Sequence, residues 1–195
     1  LRGGFLGQSP YIATILINMY AKCGMTSKAK QLLEELSIRD VVCWSALITG
    51  HSQQRQGHEA LSCFQRMQIE CISPDVVAFT CFLNACGIIG DVHKGKQAHM
   101  QVVNRGFLLK DIDLGTALVD MYAKCELLDN AKRVLNYEIL HRNVVSWSAL
   151  IAGYVQVGRF YEALECLEEL RNDGHAPNAI TFVCILKACG SIGAI

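Results

Sequence analysis

The sequence contains few residues that stop helices and few that carry charge. Only three of its 195 residues are proline, and charged residues make up 18% of the chain. Because proline breaks helix interiors, this scarcity leaves room for many helices. No apolar run approaches the roughly 18 residues that a bilayer-spanning helix requires, and the apolar end of the chain still contains Lys187. The sequence therefore predicts a soluble, mainly helical protein that does not bind a membrane.

Neither sign of charge is in excess, because 18 Lys and Arg residues balance 18 Asp and Glu residues. The sequence therefore lacks the overall excess of positive charge that is typical of nucleic-acid-binding proteins. Any nucleic-acid binding must depend on local contacts or on basic sequence outside this chain. The chain opens with LRGG rather than methionine and stops part-way through a repeat, so we expect it to be a fragment.

The ten cysteines include no C-x-x-C pair, and the sequence has no secretion signal. These features favour free thiols in a reducing compartment over a disulfide framework or a metal site. Free cysteine packs as a small apolar side chain. We therefore expect the recurring cysteines to lie in the core, namely Cys81, Cys86, Cys184 and Cys189.

Two features suggest catalysis at first sight, and both have simpler explanations. Gly90 to Lys96 fits G-x-x-x-x-G-K, but Gln97 follows where a phosphate-binding loop has Ser or Thr, and no strand pattern precedes it. The six histidines are accompanied by no acidic or cysteine cluster, which favours surface or capping histidines. The sequence predicts no catalytic residue, no metal and no cofactor.

The strongest pattern is an internal repeat. VVCWSALITG, which begins at Val41, returns as VVSWSALIAG at Val144, and INMYAKC at Ile17 returns as VDMYAKC at Val119, about 103 residues later. Recurrence at a fixed spacing indicates stacked copies of a supersecondary unit. Turn signals divide the chain into units at residues 10–40, 41–75, 76–111, 112–143 and 144–178, with a partial unit at 179–195.

Each unit has the pattern of two helices joined by a tight turn. Within 41–75, apolar residues recur at helical spacing twice, at Trp44, Leu47 and Ile48, and then at Ala60, Leu61, Phe64 and Met67. Unit 144–178 repeats the pattern with Trp147, Leu150 and Ile151, followed by Ala163, Leu164, Leu167 and Leu170. One hairpin cannot bury such a face alone, so adjacent units must cover each other.

The units resemble the pentatricopeptide repeat family, in its plant-type PLS subclass with alternating short, 35-residue and long repeats. The resemblance rests on VVxWSALIxG in the 35-residue units, on LVDMYAKC followed by DNAKRV in a short unit, and on VVAFTCFLNACGIIGDVHKGKQAHM in the long unit. It implies an all-α fold, a right-handed superhelical solenoid of antiparallel helix-turn-helix repeats. It also implies binding of single-stranded RNA, one base per repeat.

In this family the fifth and last residues of a repeat contact the base, and we call them the recognition pair. Every fifth residue here carries a hydroxyl, and every last residue is Asp or Asn. The pairs are Thr14 with Asp40, Ser45 with Asp75, Thr80 with Asp111, Thr116 with Asn143, and Ser148 with Asn178. In the family a hydroxyl with Asp favours guanine and a hydroxyl with Asn favours adenine, whereas long repeats follow the rule poorly. The resemblance thus predicts the purine-rich order G, G, unassigned, A, A.

The resemblance assigns two further roles. The second residue of a repeat lies between bases, which here implies Val42, Val77 and Val145 as wedges, whereas Asp113 departs from the aliphatic pattern. Lys22 and Lys124 match a position near the phosphate backbone. Capping and turn formation for the Asp and Asn residues, and solvated surface charge for the lysines, are the alternative interpretations.

The function that the resemblance implies is RNA binding in organellar RNA processing or editing, in a mitochondrion or chloroplast, with editing or processing factors as partners. A protein-binding helical-repeat scaffold is the alternative. Zero net charge favours that alternative, whereas recognition pairs that recur in register disfavour it.

Overall fold

The computed structural model describes residues 10–193, and within that range it contains eleven α-helices and no β-strand. The prediction of an all-α fold built from helical hairpins is therefore confirmed. The chain divides between Ile89 and Gly90 into two compact units, which we describe separately as the N-terminal and C-terminal units. No helix within residues 10–193 is long and apolar enough to cross a membrane.

The N-terminal unit consists of α1 (Pro10–Lys22), α2 (Thr26–Glu35), α3 (Val41–Gln53), α4 (Gly57–Ile69) and α5 (Val76–Ile89). Consecutive helices α1 and α2 form one hairpin, and α3 and α4 form the next. The first helices of successive repeats pack on each other, α1 on α3 and α3 on α5. They form a row, and the second helices cover its side.

The C-terminal unit contains α6 (Val92–Asn104), a 3₁₀ turn (Phe107–Leu109), α7 (Ile112–Lys124), α8 (Leu128–Arg133), a π turn (Val134–Glu138), α9 (Val144–Gln156), α10 (Phe160–Asn172) and α11 (Ala179–Ile192). Here too the first helices pack in a row, α7 on α9 and α9 on α11. The observed first helices begin at residues 10, 41, 76, 112, 144 and 179, where the sequence pattern begins each repeat.

The core lies between neighbouring helices, as the apolar periodicity predicts. Trp44, Leu47 and Ile48 are at most 1% exposed, and so are their counterparts Trp147, Leu150 and Ile151. The second helix of the later copy differs from the prediction. Its buried stripe consists of Ala163, Cys166 and Leu170, whereas Leu164 and Leu167 lie half-buried at the edge.

Close approach of the first helices depends on two glycines in the repeated motif. A Cβ added at Gly50 would lie 2.8 Å from Ala21 Cβ on α1, and one added at Gly153 would lie 2.9 Å from Ala123 Cβ on α7. Both distances are shorter than real Cβ contacts. The final glycine of VVxWSALIxG therefore sets the spacing of the row in both units.

The turn between paired helices contains a residue with positive φ. At each of two equivalent turns, one copy of the sequence has glycine at this position and the other copy does not. Gly24 has φ 74°, and Glu126 at the equivalent turn has φ 61°. Conversely, Arg55 has φ 56° where the later copy has Gly158 at φ 79°. A side chain at positive φ costs energy that glycine avoids.

Replacing Glu126 by glycine is therefore expected to stabilise the chain by about 0.5–1 kcal/mol, because strain relief exceeds the added freedom of the unfolded chain. Urea unfolding followed by circular dichroism would measure the change. Glu126→Ala is the matched control, and it should leave stability nearly unchanged because alanine keeps the unfavourable φ. Equal stabilisation by both substitutions would instead implicate the Glu126 side chain.

The π turn accommodates one additional residue in the second short repeat. Unit 112–143 is one residue longer than unit 10–40, and the widened turn is closed by Ile139 N donating to Val134 O at 3.1 Å, five residues back. As a result Ile139 keeps the buried position of Leu36, each being 9% exposed. The insertion also turns Glu138 towards His99, whose Nε2 lies 2.6 Å from Glu138 Oε2.

All ten cysteines are free thiols. Burial raises the pKa of Cys63 to about 11 and that of Cys166 to about 12, so both thiols stay neutral in the core. The expectation for the four recurring cysteines is correct for Cys86, which is buried, whereas Cys81, Cys184 and Cys189 lie half-buried on their helices. Cys81 and Cys189 each lie next to a more deeply buried residue, Phe82 and Ala188 respectively.

Candidate nucleic-acid interface

The last residue of every predicted repeat caps the first helix of the next repeat. In each case the side-chain Oδ1 accepts a hydrogen bond from the backbone N–H three residues later. The five donors are Cys43 N to Asp40 at 2.9 Å, Ala78 N to Asp75 at 2.8 Å, Leu114 N to Asp111 at 2.8 Å, Ser146 N to Asn143 at 2.8 Å and Thr181 N to Asn178 at 2.9 Å. Capping fixes these side chains at the start of the first helices. The cap bond uses only Oδ1 of each side chain.

Three recognition pairs are joined by a hydrogen bond between their side chains. Ser45 Oγ donates to Asp75 Oδ1 at 2.9 Å, and Ser148 Oγ donates to Asn178 Oδ1 at 3.3 Å. Asn143 Nδ2 donates to Thr116 Oγ1 at 3.4 Å. The fold therefore brings together residues that lie about 30 positions apart in the sequence.

The other two pairs differ. Thr14 Oγ1 lies 3.2 Å from Cys43 Sγ, directly beneath the Asp40 cap. Burial raises the pKa of the Cys43 thiol, and the Asp40 carboxylate adds to the effect, so the thiol is neutral. Thr80 donates to Val76 O at 2.9 Å, and Asp111 belongs to the other compact unit.

In the two recognition pairs that contain serine, the two residues are not equally accessible. Ser45 is 5% exposed and Ser148 is 3% exposed, whereas their partners Asp75 and Asn178 are partly open to solvent. The buried hydroxyls therefore hold the cap residue in place. In these two pairs the polar atoms that an outside molecule can reach belong mainly to Asp75 and Asn178, whereas the threonines of the other three pairs are themselves partly exposed.

The predicted wedge residues lie beside the caps on the exposed side of the first turn. Val42, Val77 and Val145 are 50%, 52% and 53% exposed. Ile180 at the same position of α11 is 60% exposed, and Asp113 is also exposed. An apolar side chain next to a polar pair offers both contacts that an unstacked base needs, a surface for its face and partners for its edge.

The two predicted phosphate lysines lie at the opposite end of their helices from the recognition pairs. Lys124 ends α7, eight residues after Thr116 and hence about 12 Å further along the axis. Its ammonium is paired with Asp120 on the previous turn. Lys22 ends α1 and is exposed, with the neutral Asn18 in place of that carboxylate. The two lysines therefore differ in the positive charge that they can offer a phosphate.

Two capping boxes escaped the sequence interpretation. In the Asn caps the hydroxyl three residues later also bonds the cap backbone, with Ser146 Oγ accepting from Asn143 N at 3.2 Å and Thr181 Oγ1 accepting from Asn178 N at 3.3 Å. The signal was present in the sequence as Asn-x-x-Ser and Asn-x-x-Thr just before each apolar run.

The expectation of surface or capping histidines is wrong for His51 and His99, which are 6% and 7% exposed. His51 Nδ1 bonds Gln56 Oε1 at 2.7 Å. His99 lies between Tyr122 Oη at 2.9 Å and Glu138. Apolar neighbours at helical spacing bury these helix faces. Both imidazoles therefore lie in the core, where each forms at least one hydrogen bond.

Neither of the sites that suggested catalysis has the geometry for it. Gly90 forms a left-handed turn and Asp91 caps α6, while a Cβ at Gly95 would lie 2.6 Å from Met121 Sδ. Gly95 is thus a packing residue. Among residues 10–193 no group of three or more His, Cys, Asp or Glu side chains is placed to hold a metal ion.

A cleft of about 570 Å³ lies beside His99 and Glu138, between α6, the 3₁₀ turn and the π turn. Its charged groups already contact one another. Arg133 Nε lies 3.4 Å from Glu138 Oε1, and His99 Nε2 contacts Glu138 Oε2. The remaining lining is largely apolar, including Met100, Val103 and Leu109.

Relatives of known sequence have the same repeats. A mitochondrial pentatricopeptide repeat-containing protein of Arabidopsis thaliana is 38% identical over 185 residues, which are 94% of this chain and 27% of that protein. A chloroplastic one from the same plant is 34% identical over 181 residues, 93% of this chain and 29% of that protein. The chain spans less than a third of the length of these two relatives.

Two solved structures share the fold. Nuclear proteinaceous RNase P 2 from A. thaliana has a TM-score of 0.71 at 16% identity, over 92% of this chain and 42% of that chain. The PPR domain of A. thaliana protein-only RNase P 1, solved in complex with tRNA, has a TM-score of 0.69 at 14% identity, over 92% of this chain and 97% of that domain. At such identities the similarity concerns the fold.

Sequence profiles identify the family directly. The PPR repeat family matches residues 39–87 and 142–191, which are more than half of the chain, and the PPR repeat matches residues 11–41. These ranges include all five recognition pairs at one or both positions. The chain therefore belongs to the pentatricopeptide repeat family.

Proposed function

We propose that this chain is a non-catalytic module that binds single-stranded RNA in a sequence-specific manner, one base per repeat. The observation that carries the proposal is the recurring constellation at the start of the first helices. Around α5 and α9, a valine that is about half exposed stands beside Asp75 or Asn143, which caps the helix and bonds the other member of its recognition pair. Helix α3 has the same valine and the same cap, Asp40, without that bond. Unstacked bases are bound by such combinations of apolar surface and edge contacts.

The hydrogen-bonding capacity of Asp and Asn supports different base preferences. A carboxylate offers only acceptors, and the Watson–Crick edge of guanine presents two adjacent N–H donors. An amide offers a donor and an acceptor, and the corresponding edge of adenine presents the acceptor N1 beside the N6 amino donor. Asp40 and Asp75 would thus select guanine, whereas Asn143 and Asn178 would select adenine.

The proposed order, 5′ to 3′ from the N-terminal repeat, is G, G, unassigned, A, A. The long repeat stays unassigned because Thr80 and Asp111 lie in separate compact units. Five bases form a small footprint. Base stacking contributes on the order of 1–3 kcal/mol per base before ordering costs, so this chain should bind more weakly than a protein with more repeats.

We also propose where in the cell this chain binds RNA. Relatives that carry mitochondrial and chloroplastic names support an organelle as its location. RNA processing or editing is the role that we propose for it there. The alternation of short, 35-residue and long repeats supports the PLS subclass. Editing or processing factors would then act together with this RNA-binding module.

A panel of labelled five-base strands tests the proposal. In fluorescence anisotropy, GGUAA should bind at least about tenfold more tightly than CCUUU, since one mismatched position typically costs ~1–3 kcal/mol. The measurement is repeated at several salt concentrations, because electrostatic binding without base recognition weakens steeply with salt. Equal affinity for both strands would contradict the base preference. Absence of RNA binding at every salt concentration would favour the protein-binding scaffold.

A further inference from the structure

One buried position lies beneath every cap residue. It is the third residue of the following repeat, and in all five cases it is at most 1% exposed: Cys43, Ala78, Leu114, Ser146 and Thr181. Its backbone N–H is the donor that the cap accepts. Its side chain therefore lies directly against the Asp or Asn that the proposed function assigns to base recognition.

The chemistry of this third residue follows that of the cap. Both Asn caps, Asn143 and Asn178, are followed by a hydroxyl at the third position. The three Asp caps are followed by residues without one, namely Cys43, Ala78 and Leu114. The pairing holds at every cap, although the short, 35-residue and long repeats differ in the rest of their sequence.

An amide and a carboxylate differ in a way that explains the pairing. The two oxygens of a carboxylate are equivalent, so Asp presents an acceptor to the RNA whichever oxygen faces the helix. An amide has unlike ends. Turned one way it presents Nδ2 to the RNA, which suits the adenine N1 acceptor. Turned the other way it presents Oδ1, which also suits the guanine N1 donor.

Thr181 fixes this orientation for Asn178. Thr181 Oγ1 donates to Asn178 Oδ1 at 3.0 Å, beside the backbone Thr181 N at 2.9 Å, so two donors from one residue hold the oxygen inward. Ser148 Oγ lies 2.7 Å from the same hydroxyl and shares its one proton between Thr181 Oγ1 and Asn178 Oδ1, so the single proton of Thr181 points to Asn178 Oδ1. Within residues 10–193, Nδ2 of Asn178 has no hydrogen-bond acceptor and is left for an outside partner.

Ser146 acts on Asn143 through the backbone. Its hydroxyl accepts from Asn143 N at 3.2 Å and donates to Asn143 O at 2.8 Å, which closes the capping box. The amide nitrogen of Asn143 then donates towards Thr116 Oγ1 at 3.4 Å. Both Asn caps thus turn their oxygen to the helix and their nitrogen away from it.

We propose that the third residue of a repeat is a specificity-determining position, and that a hydroxyl there, Thr181 above all, holds the preceding Asn with its nitrogen towards the RNA and so selects adenine over guanine. This inference rests on the proposed function. Thr181 would not touch the base; it is a positioning residue that acts through Asn178.

The test compares GGUAA with GGUAG, which differ at the base assigned to Ser148 and Asn178. The unaltered chain should prefer GGUAA. Thr181→Val keeps the shape but removes the hydroxyl, and it should reduce that preference about two- to tenfold, the size of one neutral hydrogen bond in an equilibrium constant. Thr181→Ser restores the hydroxyl without the methyl group and should restore the preference. Ser191→Ala, which removes an exposed hydroxyl from the same helix, should change the preference less than twofold.

A second readout needs no RNA. Side-chain amide signals of Asn178 in ¹⁵N–¹H spectra should be dispersed in the unaltered chain and in Thr181→Ser, and should broaden or average in Thr181→Val. Full preference for GGUAA in Thr181→Val, or an equal loss of affinity for both strands, would overturn the inference while the proposed function stands. If the unaltered chain does not distinguish the strands, the base assignment fails and the inference falls with it.

Discussion

Replacing Trp147 by alanine is expected to lower the free energy of unfolding by about 3–5 kcal/mol, the range for removing a large buried aromatic side chain. Trp147 is 1% exposed, and its indole Nε1 donates to Asp173 Oδ2 at 3.0 Å. Arg142 Nε also bonds that oxygen, at 2.7 Å. One side chain therefore joins α9 to the end of α10 and to the loop that precedes α9.

The earlier copy of the motif provides a matched comparison. Trp44 is as deeply buried, but its Nε1 has no hydrogen-bond partner among residues 10–193. Its acidic counterpart Glu70 bonds Arg39 at 2.9 Å and lies 3.5 Å from Arg66. The indole N–H of this motif is therefore hydrogen-bonded in the later copy and has no partner in the earlier one.

Trp→Phe substitutions isolate that difference. Both remove similar apolar volume, but only Trp147→Phe removes a hydrogen bond to a carboxylate. We expect Trp147→Phe to lower the free energy of unfolding by about 1–2 kcal/mol more than Trp44→Phe does. The two differ because Trp44→Phe removes no hydrogen bond and eliminates a buried donor that has no partner. Urea unfolding of both variants measures the difference. Equal costs would mean that the Asp173 contact contributes no net stability.

The sequence was sufficient to predict where each first helix begins, because those positions are marked locally. Asp40, Asp75, Asp111, Asn143 and Asn178 are favourable caps followed by apolar runs, and proline precedes two of them. Local capping chemistry and periodicity depend on few residues. Such signals can be identified without knowledge of the tertiary contacts.

The features that escaped prediction depend on contacts between distant residues. Burial of Ser45 beneath Asp75 and of Ser148 beneath Asn178 follows from the packing of first helices, which residue type does not specify. The π turn follows from the fixed position of Ile139 in the core, which forces the extra residue into a wider turn. The same turn also supplies Glu138 as the partner of the buried His99.

Exchange of both Asn caps for Asp should have the largest effect on RNA selection. Asn143→Asp together with Asn178→Asp converts two predicted adenine positions into guanine positions. The affinity ratio of GGUGG to GGUAA should rise about a hundredfold or more, because a good bidentate base contact discriminates by ~1–3 kcal/mol. Competition anisotropy with the two strands measures this ratio. An unchanged ratio would contradict the assignment of these residues to base recognition.

The substitution separates specificity from stability and from charge. Asp and Asn cap helices equally well, and a negative charge is favourable at a helix N-terminus, so the fold should be preserved. Two added carboxylates repel phosphates of either strand alike, which lowers both affinities but leaves their ratio as the informative quantity.

The reverse exchange, Asp40→Asn with Asp75→Asn, is expected to be less effective. It creates two amides above Cys43 and Ala78, neither of which supplies a hydroxyl to orient them. The backbone N–H of Cys43 or Ala78 alone then holds the amide oxygen inward, which is a weaker constraint than an N–H and a hydroxyl together. The reverse variant should therefore lose its guanine preference without gaining a full adenine preference. Adding Ala78→Ser should recover part of that preference at the second base. Equal switching in both directions would show that the cap residue alone carries the specificity.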